Sequence, residues 1–376
     1  MGNVLFENQT PALVISNMVL LTIIYYSLQP AYYNLQPNPP KRLYLGIVCI
    51  FLFTMFSFWI HDWFGYQREF MLIRESEWYR ERTSLEPVYI WIILHCPDYL
   101  IFRFVVFGGA LLLVYLIIRH LQVSRDLSCF FFGVLFLPLF AYARVSLAVV
   151  MMLYGTVLIS RPFANRRTLS YVLGVVLVVV SVFFHKSAAM GILVVIFSFI
   201  SRTANKNSWF YIVLAFLATA IMARVAISIF LGGALDADEM SSKSMEAGQK
   251  YMNKESVESG VGALLGYTLE RIPYYLCALL SFQIQSEYTV PKEIEAILKF
   301  DMYLVLLATV FAVDLGANTS IMFGRLLRFA LVPSTVIMAY AYQYGLFTKL
   351  VKIIFFIGLS CVIYRLTYTF YNTLVA

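Results

Sequence analysis

The chain has 376 residues, of which 61% are apolar and 13% charged, and its mean hydropathy is +0.78. Soluble globular domains carry about 25% charged residues, so this composition excludes an ordinary soluble domain and indicates an all-α polytopic membrane protein. The net charge is +7, but Lys and Arg lie mostly in short connections between apolar runs. Membrane proteins show this distribution on their cytoplasmic side, so we expect no nucleic-acid partner.

Twelve apolar runs could cross the roughly 30 Å hydrocarbon core of a bilayer. Several of them are short, and the pairs 128–142 with 144–160 and 168–184 with 187–201 are typical of broken or re-entrant helices. We therefore expect ten to twelve spans. The runs are 11–28, 43–60, 99–118, 128–142, 144–160, 168–184, 187–201, 209–231, 262–284, 296–315, 321–344 and 349–372.

Alternate short connections carry the basic residues, which predicts that they face the cytoplasm. The two long hydrophilic segments, 61–98 and 232–261, then lie on the outer face with both chain termini. We expect a single membrane domain over residues 1–376. The basic residues of the inner connections are Lys41, Arg42, Arg119, Arg125, Arg161, Arg166, Arg167, Arg202, Lys206, Lys292, Lys299, Lys349 and Lys352.

Two polar positions, Arg144 and His185, flank a pair of apolar runs joined by a basic turn. An α-helix rises about 1.5 Å per residue, so the runs 144–160 and 168–184 each cover roughly 25 Å. Arg144 and His185 therefore return to one level of the membrane. With the basic turn on the cytoplasmic side, that level is the outer one.

Further cations are expected at the same outer level. Lys186 follows His185, while Arg325 and Arg328 begin a later span and share one helical face. Together with Arg144 they predict a site for a multiply charged anion such as a phosphate or diphosphate. Two alternatives to an anion site remain. Arg144 could extend its charge to the membrane interface, and His185 could have a structural role.

The outer segment 61–98 supplies acidic candidates. Asp62 comes just after a span, and Glu86 precedes Pro87, which favours a helix start. Glu86 is then either a capping residue or a general base at the rim of the cation site. The other charges of the segment alternate in sign and are typical of a solvated amphipathic helix; they are Arg68, Glu69, Arg74, Glu75, Glu77, Arg80, Glu81 and Arg82.

No metal or nucleotide motif stands out. Asp236 and Asp238 could offer oxygen ligands to a divalent ion, but so short a spacing is common by chance. The four histidines lack ligand spacing, the five cysteines show no CxxC pair, and there is no Walker loop. We expect no metal site and no cofactor.

A series of short motifs runs through most of the chain in a fixed order. This order resembles the Wzy-type bacterial polysaccharide polymerases, in particular their EpsG-like branch. The motifs are Asp62 with Tyr66, Glu86-Pro87 with Tyr89, Arg144 with Ala148, Phe184-His185-Lys186-Ser187, Tyr251 in an outer loop, and Gly324-Arg325. Lys186 departs from the pattern, in which small polar residues would serve.

The resemblance implies the fold of a multispanning lipid-sugar glycosyltransferase in the bacterial inner membrane, with its active site facing the periplasm. It implies transfer of a growing glycan from undecaprenyl diphosphate to the non-reducing end of another undecaprenyl-diphosphate-linked repeat unit. No metal cofactor is implied. The expected partners are the lipid-linked donor and acceptor, the bilayer and a chain-length regulator protein.

The predicted site fits this reaction. Arg144, Arg325, Arg328 and Lys186 would bind the diphosphate leaving group. Glu86, His185 or Asp62 would remove the proton from the acceptor hydroxyl, and the sequence does not rank these three. The alternatives are an O-antigen ligase, which differs in its acceptor, or another lipid-sugar-dependent glycosyltransferase. Less favoured are a polysaccharide transporter and a membrane acyltransferase.

Overall fold

A computed structural model describes residues 10–34, 42–56, 62–83, 85–137, 143–160, 168–185, 188–203, 206–233, 271–312 and 326–375. Within these residues all regular secondary structure is helical. The predicted all-α membrane fold is confirmed. Helices are expected here, because a bilayer offers no water to an apolar run and the backbone must satisfy its own hydrogen bonds.

The helices of the described residues run from α1 to α15 in chain order. Helices α1 to α5 are Thr10–Asn34, Arg42–Phe56, Asp62–Glu75, Glu77–Arg82 and Pro87–His95. Helices α6 to α10 are Tyr99–Leu121, Arg125–Phe131, Ala143–Ile159, Thr168–Phe184 and Ala188–Thr203. Helices α11 to α15 are Lys206–Gly233, Ile272–Glu287, Lys292–Ala312, Leu331–Gln343 and Thr348–Val375.

Helix α6 is, among the described residues, the one that is long and apolar enough by itself to cross a membrane. Large apolar side chains on its surface are exposed, such as Phe104 and Leu112, as expected of a face that contacts lipid. Shorter apolar helices accompany it: Ile15–Gln29, Arg42–Phe56, Val145–Ile159, Thr168–Phe184, Ala188–Ser201 and Ser208–Ala223. The total of ten to twelve spans stays a prediction.

Two helices contain π-helical turns, and one predicted break between apolar runs is present. Helix α6 contains a π-helical turn over Phe104–Gly108, and α7 continues into another over Phe132–Phe136. Helix α9 ends at Phe184 and α10 begins at Ala188. The break predicted between residues 184 and 187 is therefore present, and His185 lies in it.

Two hydrogen bonds join connections that the basic residues predicted to lie on one side of the membrane. The backbone N–H of Ser124 donates to Gln343 Oε1 at 2.7 Å, which joins the α6–α7 connection to the end of α14. Lys299 Nζ donates to the Ser201 carbonyl at 2.7 Å, which joins α13 to the end of α10. Each contact places its two connections at the same end of the helices that they join.

Arg103, inside α6, is 1% exposed and binds the end of α2. Its Nε and Nη2 donate to the carbonyls of Met55 and Thr54, each at 2.8 Å, and its guanidinium lies 4.7 Å from the ring centre of Phe107. The last carbonyls of a helix lack partners within it and carry partial negative charge. The buried cation satisfies them and fixes α2 against α6.

Helices α8 and α9 are in direct backbone contact at two glycines. A Cβ atom on Gly155 would lie 2.6 Å from the Gly174 carbonyl oxygen, and one on Gly174 would lie 2.9 Å from that of Gly155. Arg144 precedes Gly155 by eleven residues, and His185 follows Gly174 by eleven. In an antiparallel pair this crossing places both positions about 16 Å from the contact, at the same end.

Gly155→Ala should lower the thermal unfolding midpoint of the detergent-solubilised protein. The new methyl group would meet a backbone oxygen, and overpacking of this kind costs about 1–3 kcal/mol. That exceeds the gain of up to about 1 kcal/mol from replacing a helical glycine by alanine.

Gly109→Ala, in α6, is the matched control, because the atom nearest to its new Cβ would be Leu147 Cδ1 at 3.8 Å. It gains the same helix propensity without a clash, so its midpoint should stay level or rise. Equal midpoints for the two variants, followed by intrinsic fluorescence on heating, would rule out the close contact of α8 with α9.

Candidate functional site

Glu86 is held directly before α5. Its backbone is extended (φ −76°, ψ 142°), Pro87 opens the helix, and the Glu86 side chain makes no capping hydrogen bond. The residue is 4% exposed. The Glu86 side chain therefore does not cap its own helix by a hydrogen bond, although a capping role was one of its two interpretations from the sequence.

His185 occupies the break between α9 and α10. Its backbone N–H donates to the Ser181 carbonyl at 2.9 Å, and its own carbonyl accepts from the Ala188 N–H at 2.9 Å. One residue thus ends α9 and starts α10, and its side chain is fixed at the junction. His185 is 7% exposed, so its imidazole is largely removed from solvent.

The structure brings these two candidates together. His185 Nδ1 lies 3.5 Å from Glu86 Oε1, and both side chains are less than a tenth exposed. This is an ion-pair distance, longer than the roughly 2.7–3.2 Å of a good hydrogen bond. A carboxylate at Nδ1 fixes the orientation and the tautomer of an imidazole, which leaves Nε2 to accept a proton. The pair can therefore accept a proton from a substrate hydroxyl.

Tyr89 lies one turn after Glu86 and packs beside the pair. It is fully buried, and its ring meets Phe184 and Phe102 edge-on, with centroids 5.8 and 5.5 Å away. Its hydroxyl donates to Glu69 Oε2 at 3.3 Å. The site is thus framed by α3, α5, α6 and the end of α9.

The predicted cations are described in part. The backbone of Arg144 lies in the first turn of α8, at the His185 end of the α8–α9 pair. The backbone of Arg328 opens a 3₁₀ turn, Arg328–Ala330, that packs against α8. The side chains of both arginines are outside the described residues.

Three further site predictions have no described side chain. Asp62 is the first residue of α3, and its side chain lies outside the described part of the chain. Lys186 and Arg325 lie outside the described residues altogether. Their roles stay predictions.

Within the described ranges, no group of three or more His, Cys, Asp or Glu side chains is placed to hold a metal ion. Asp236 and Asp238, the one acidic pair that the sequence offered for a divalent ion, lie in the undescribed segment 234–270.

Two residues of this neighbourhood were not proposed from the sequence as site residues. Glu69 was grouped with the alternating charges of a solvated helix, yet it is half-buried and bonded to Tyr89. Tyr89 was noted only as part of a motif. The signal that could have revealed it is the three-residue spacing from Glu86, because the side chain of the residue before a helix lies near that of the third residue in the helix.

Comparison with protein families gives one match, to the model of the EpsG family, over residues 42–375. No curated protein and no solved structure is similar enough to match the chain. The matched range includes every residue of the predicted site and confirms the EpsG-like resemblance seen in the motifs. The chain therefore belongs to the EpsG family.

Proposed function

We propose that this protein polymerises lipid-linked oligosaccharide repeat units. The growing glycan moves from undecaprenyl diphosphate to the non-reducing end of another undecaprenyl-diphosphate-linked unit, at the outer face of the bacterial inner membrane. Membership in the EpsG family supports the role of a polysaccharide polymerase of the glycosyltransferase type. The buried contact between Glu86 and His185 is the observation that carries the proposed chemistry.

In the proposed step, an acceptor hydroxyl attacks the anomeric carbon of the donor sugar. A new C–O bond forms there, the bond from that carbon to the diphosphate oxygen breaks, and the hydroxyl proton goes to His185. Glu86 binds Nδ1, so Nε2 is the nitrogen that we assign to the proton transfer. General-base catalysis of this kind contributes about 10²–10⁴-fold to a rate.

The leaving diphosphate gains negative charge as the glycosidic bond breaks. We assign its stabilisation to Arg144, Arg325, Arg328 and Lys186, because cations held in place before the reaction lower the energy of the developing anion. The position of the Arg144 backbone at the His185 end of α8 and α9 supports this assignment. Asp62 stays an alternative proton acceptor.

Donor and acceptor each carry the same kind of lipid, undecaprenyl diphosphate. We therefore propose that both prenyl chains lie between helices that are open to the bilayer. The apolar side chains exposed on α6 and α9 offer such a surface, with Leu112 57% and Leu169 79% exposed. A chain-length regulator is the further protein partner that we propose.

Deletion of the gene from its bacterium should abolish long polymer and leave single repeat units on the lipid carrier. Mild acid releases the carrier-linked glycans, and gel electrophoresis with mass spectrometry measures their length. A complementing wild-type copy should restore the polymer.

Other outcomes of the deletion would contradict polymerisation. A ligase defect would leave full-length polymer on the carrier, and a transporter defect would leave it inside the cell. Loss of an acyl group without loss of length would indicate an acyltransferase.

His185→Ala should lower the polymerisation rate in membranes by about 10²–10⁴-fold, because the base is removed. Glu86→Gln should lower it less, since the imidazole remains but loses its carboxylate. The rate is the incorporation of repeat units into polymer per amount of protein in the membrane.

The matched controls are His95→Ala and Glu81→Gln, since both of those side chains are exposed. Both control variants should polymerise at the wild-type rate. A Glu86→Gln rate below that of His185→Ala would contradict the assignment of His185 as the base.

Arg144→Ala should lower the polymerisation rate about 10²-fold or more, because one charge opposite the leaving diphosphate is lost. The control is Arg119→Ala, which removes an exposed arginine in the last turn of α6. Wild-type ladders from Arg144→Ala cells with normal protein levels would refute a role in binding the leaving group.

A further inference from the structure

We propose that Tyr89 and Glu69 are positioning residues, whose hydrogen bond holds Glu86 against His185. This inference rests on the proposed function, in which the Glu86–His185 pair receives the acceptor proton. It assigns a role to Glu69 on α3, a helix that carries none of the predicted site residues except Asp62 at its start.

Tyr89 connects the two members of the pair. It lies in the first turn of α5, three residues after Glu86, which directly precedes the helix. Its ring packs edge-on against Phe184, the residue directly before His185. A displacement of Tyr89 would therefore shift Glu86 and the end of α9 relative to each other.

The hydroxyl of Tyr89 needs a partner, because Tyr89 is fully buried. Glu69 Oε2 accepts its hydrogen bond at 3.3 Å. At this length the bond is weaker than a short charge-assisted one. It adds a directional contact between α5 and α3 to the ring packing.

Helix α3 holds α5 at both ends. Near the start of α5, Glu69 binds Tyr89. Beyond its end, Arg74 Nη1 donates to the Pro97 carbonyl. Helix α5 has only nine residues and no side-chain cap at Glu86, so these contacts with α3 supply the restraint that its own length does not.

The Glu86–His185 contact is sensitive to this restraint. At 3.5 Å it already exceeds a good hydrogen-bond length, and a shift of about 1 Å would break it. Such a shift would leave the imidazole in place without its orienting carboxylate.

The test compares Tyr89→Phe, Glu69→Ala, Glu69→Gln and the double variant Tyr89→Phe/Glu69→Ala in the full chain. One readout is the polymerisation rate in membranes. The other is the rate at which diethyl pyrocarbonate modifies His185 in purified protein, followed by mass spectrometry, with exposed His95 as internal reference. Glu86→Gln calibrates the modification rate of an imidazole without its carboxylate.

Tyr89→Phe and Glu69→Ala should each lower polymerisation about three- to tenfold, the effect of one lost hydrogen bond, and raise His185 modification towards the Glu86→Gln rate. The double variant should be no worse than either single variant. Glu69→Gln keeps an acceptor for the hydroxyl and should recover most of the loss. Tyr79→Phe and Glu75→Gln, on the same surface segment, are the controls.

Unchanged His185 modification in Tyr89→Phe and Glu69→Ala would overturn the positioning role, whatever happens to polymer. Additive losses in the double variant, or a Glu69→Gln defect equal to that of Glu69→Ala, would also overturn it. A different outcome would contradict the proposed function alone. His185→Ala would then polymerise at the normal rate, while Tyr89→Phe would still alter the modification of His185.

Discussion

The close approach of α8 and α9 at Gly155 and Gly174 is the constraint on which the site depends. Helices in a bilayer have little hydrophobic reason to associate, so small residues that admit close van der Waals contact decide where they cross. One turn of slippage would move His185 by about 5.4 Å. That displacement exceeds the whole Glu86–His185 separation of 3.5 Å, so the crossing point and the site are fixed together.

The cost of burying charge explains why the buried polar groups of this region lie at helix ends or bind to them. A buried charge costs several kcal/mol unless it is paired and hydrogen-bonded. Arg103 meets this condition by capping the carbonyls at the end of α2. Glu86 precedes α5, His185 separates α9 from α10, and the two side chains lie 3.5 Å apart. Breaks in the apolar helices thus provide the places where polar side chains can be buried.

The sequence predicted the parts of this arrangement that depend on local pattern. The long apolar run 99–118 predicted the position of α6, and the polar residue His185 between two apolar runs predicted the break between α9 and α10. The contact of His185 with Glu86 joins positions 99 residues apart, and no local pattern encodes such a distance. Glu69 could not be told from its charged neighbours, because the face of α3 that meets α5 is set by tertiary packing. Arg103 was hidden inside an apolar run for the same reason, since its partners are backbone carbonyls.

The proposed reaction needs two groups that act at the same moment, one on the acceptor proton and one on the leaving diphosphate. The α8–α9 pair carries a candidate for each, His185 after α9 and Arg144 in the first turn of α8. Glu86 comes from outside that pair, on the short segment that leads into α5. Binding of the donor and orientation of the base therefore depend on different elements. In the proposed mechanism, a change in α5 alone would weaken proton transfer without moving Arg144, whereas a change at the glycine crossing would disturb both.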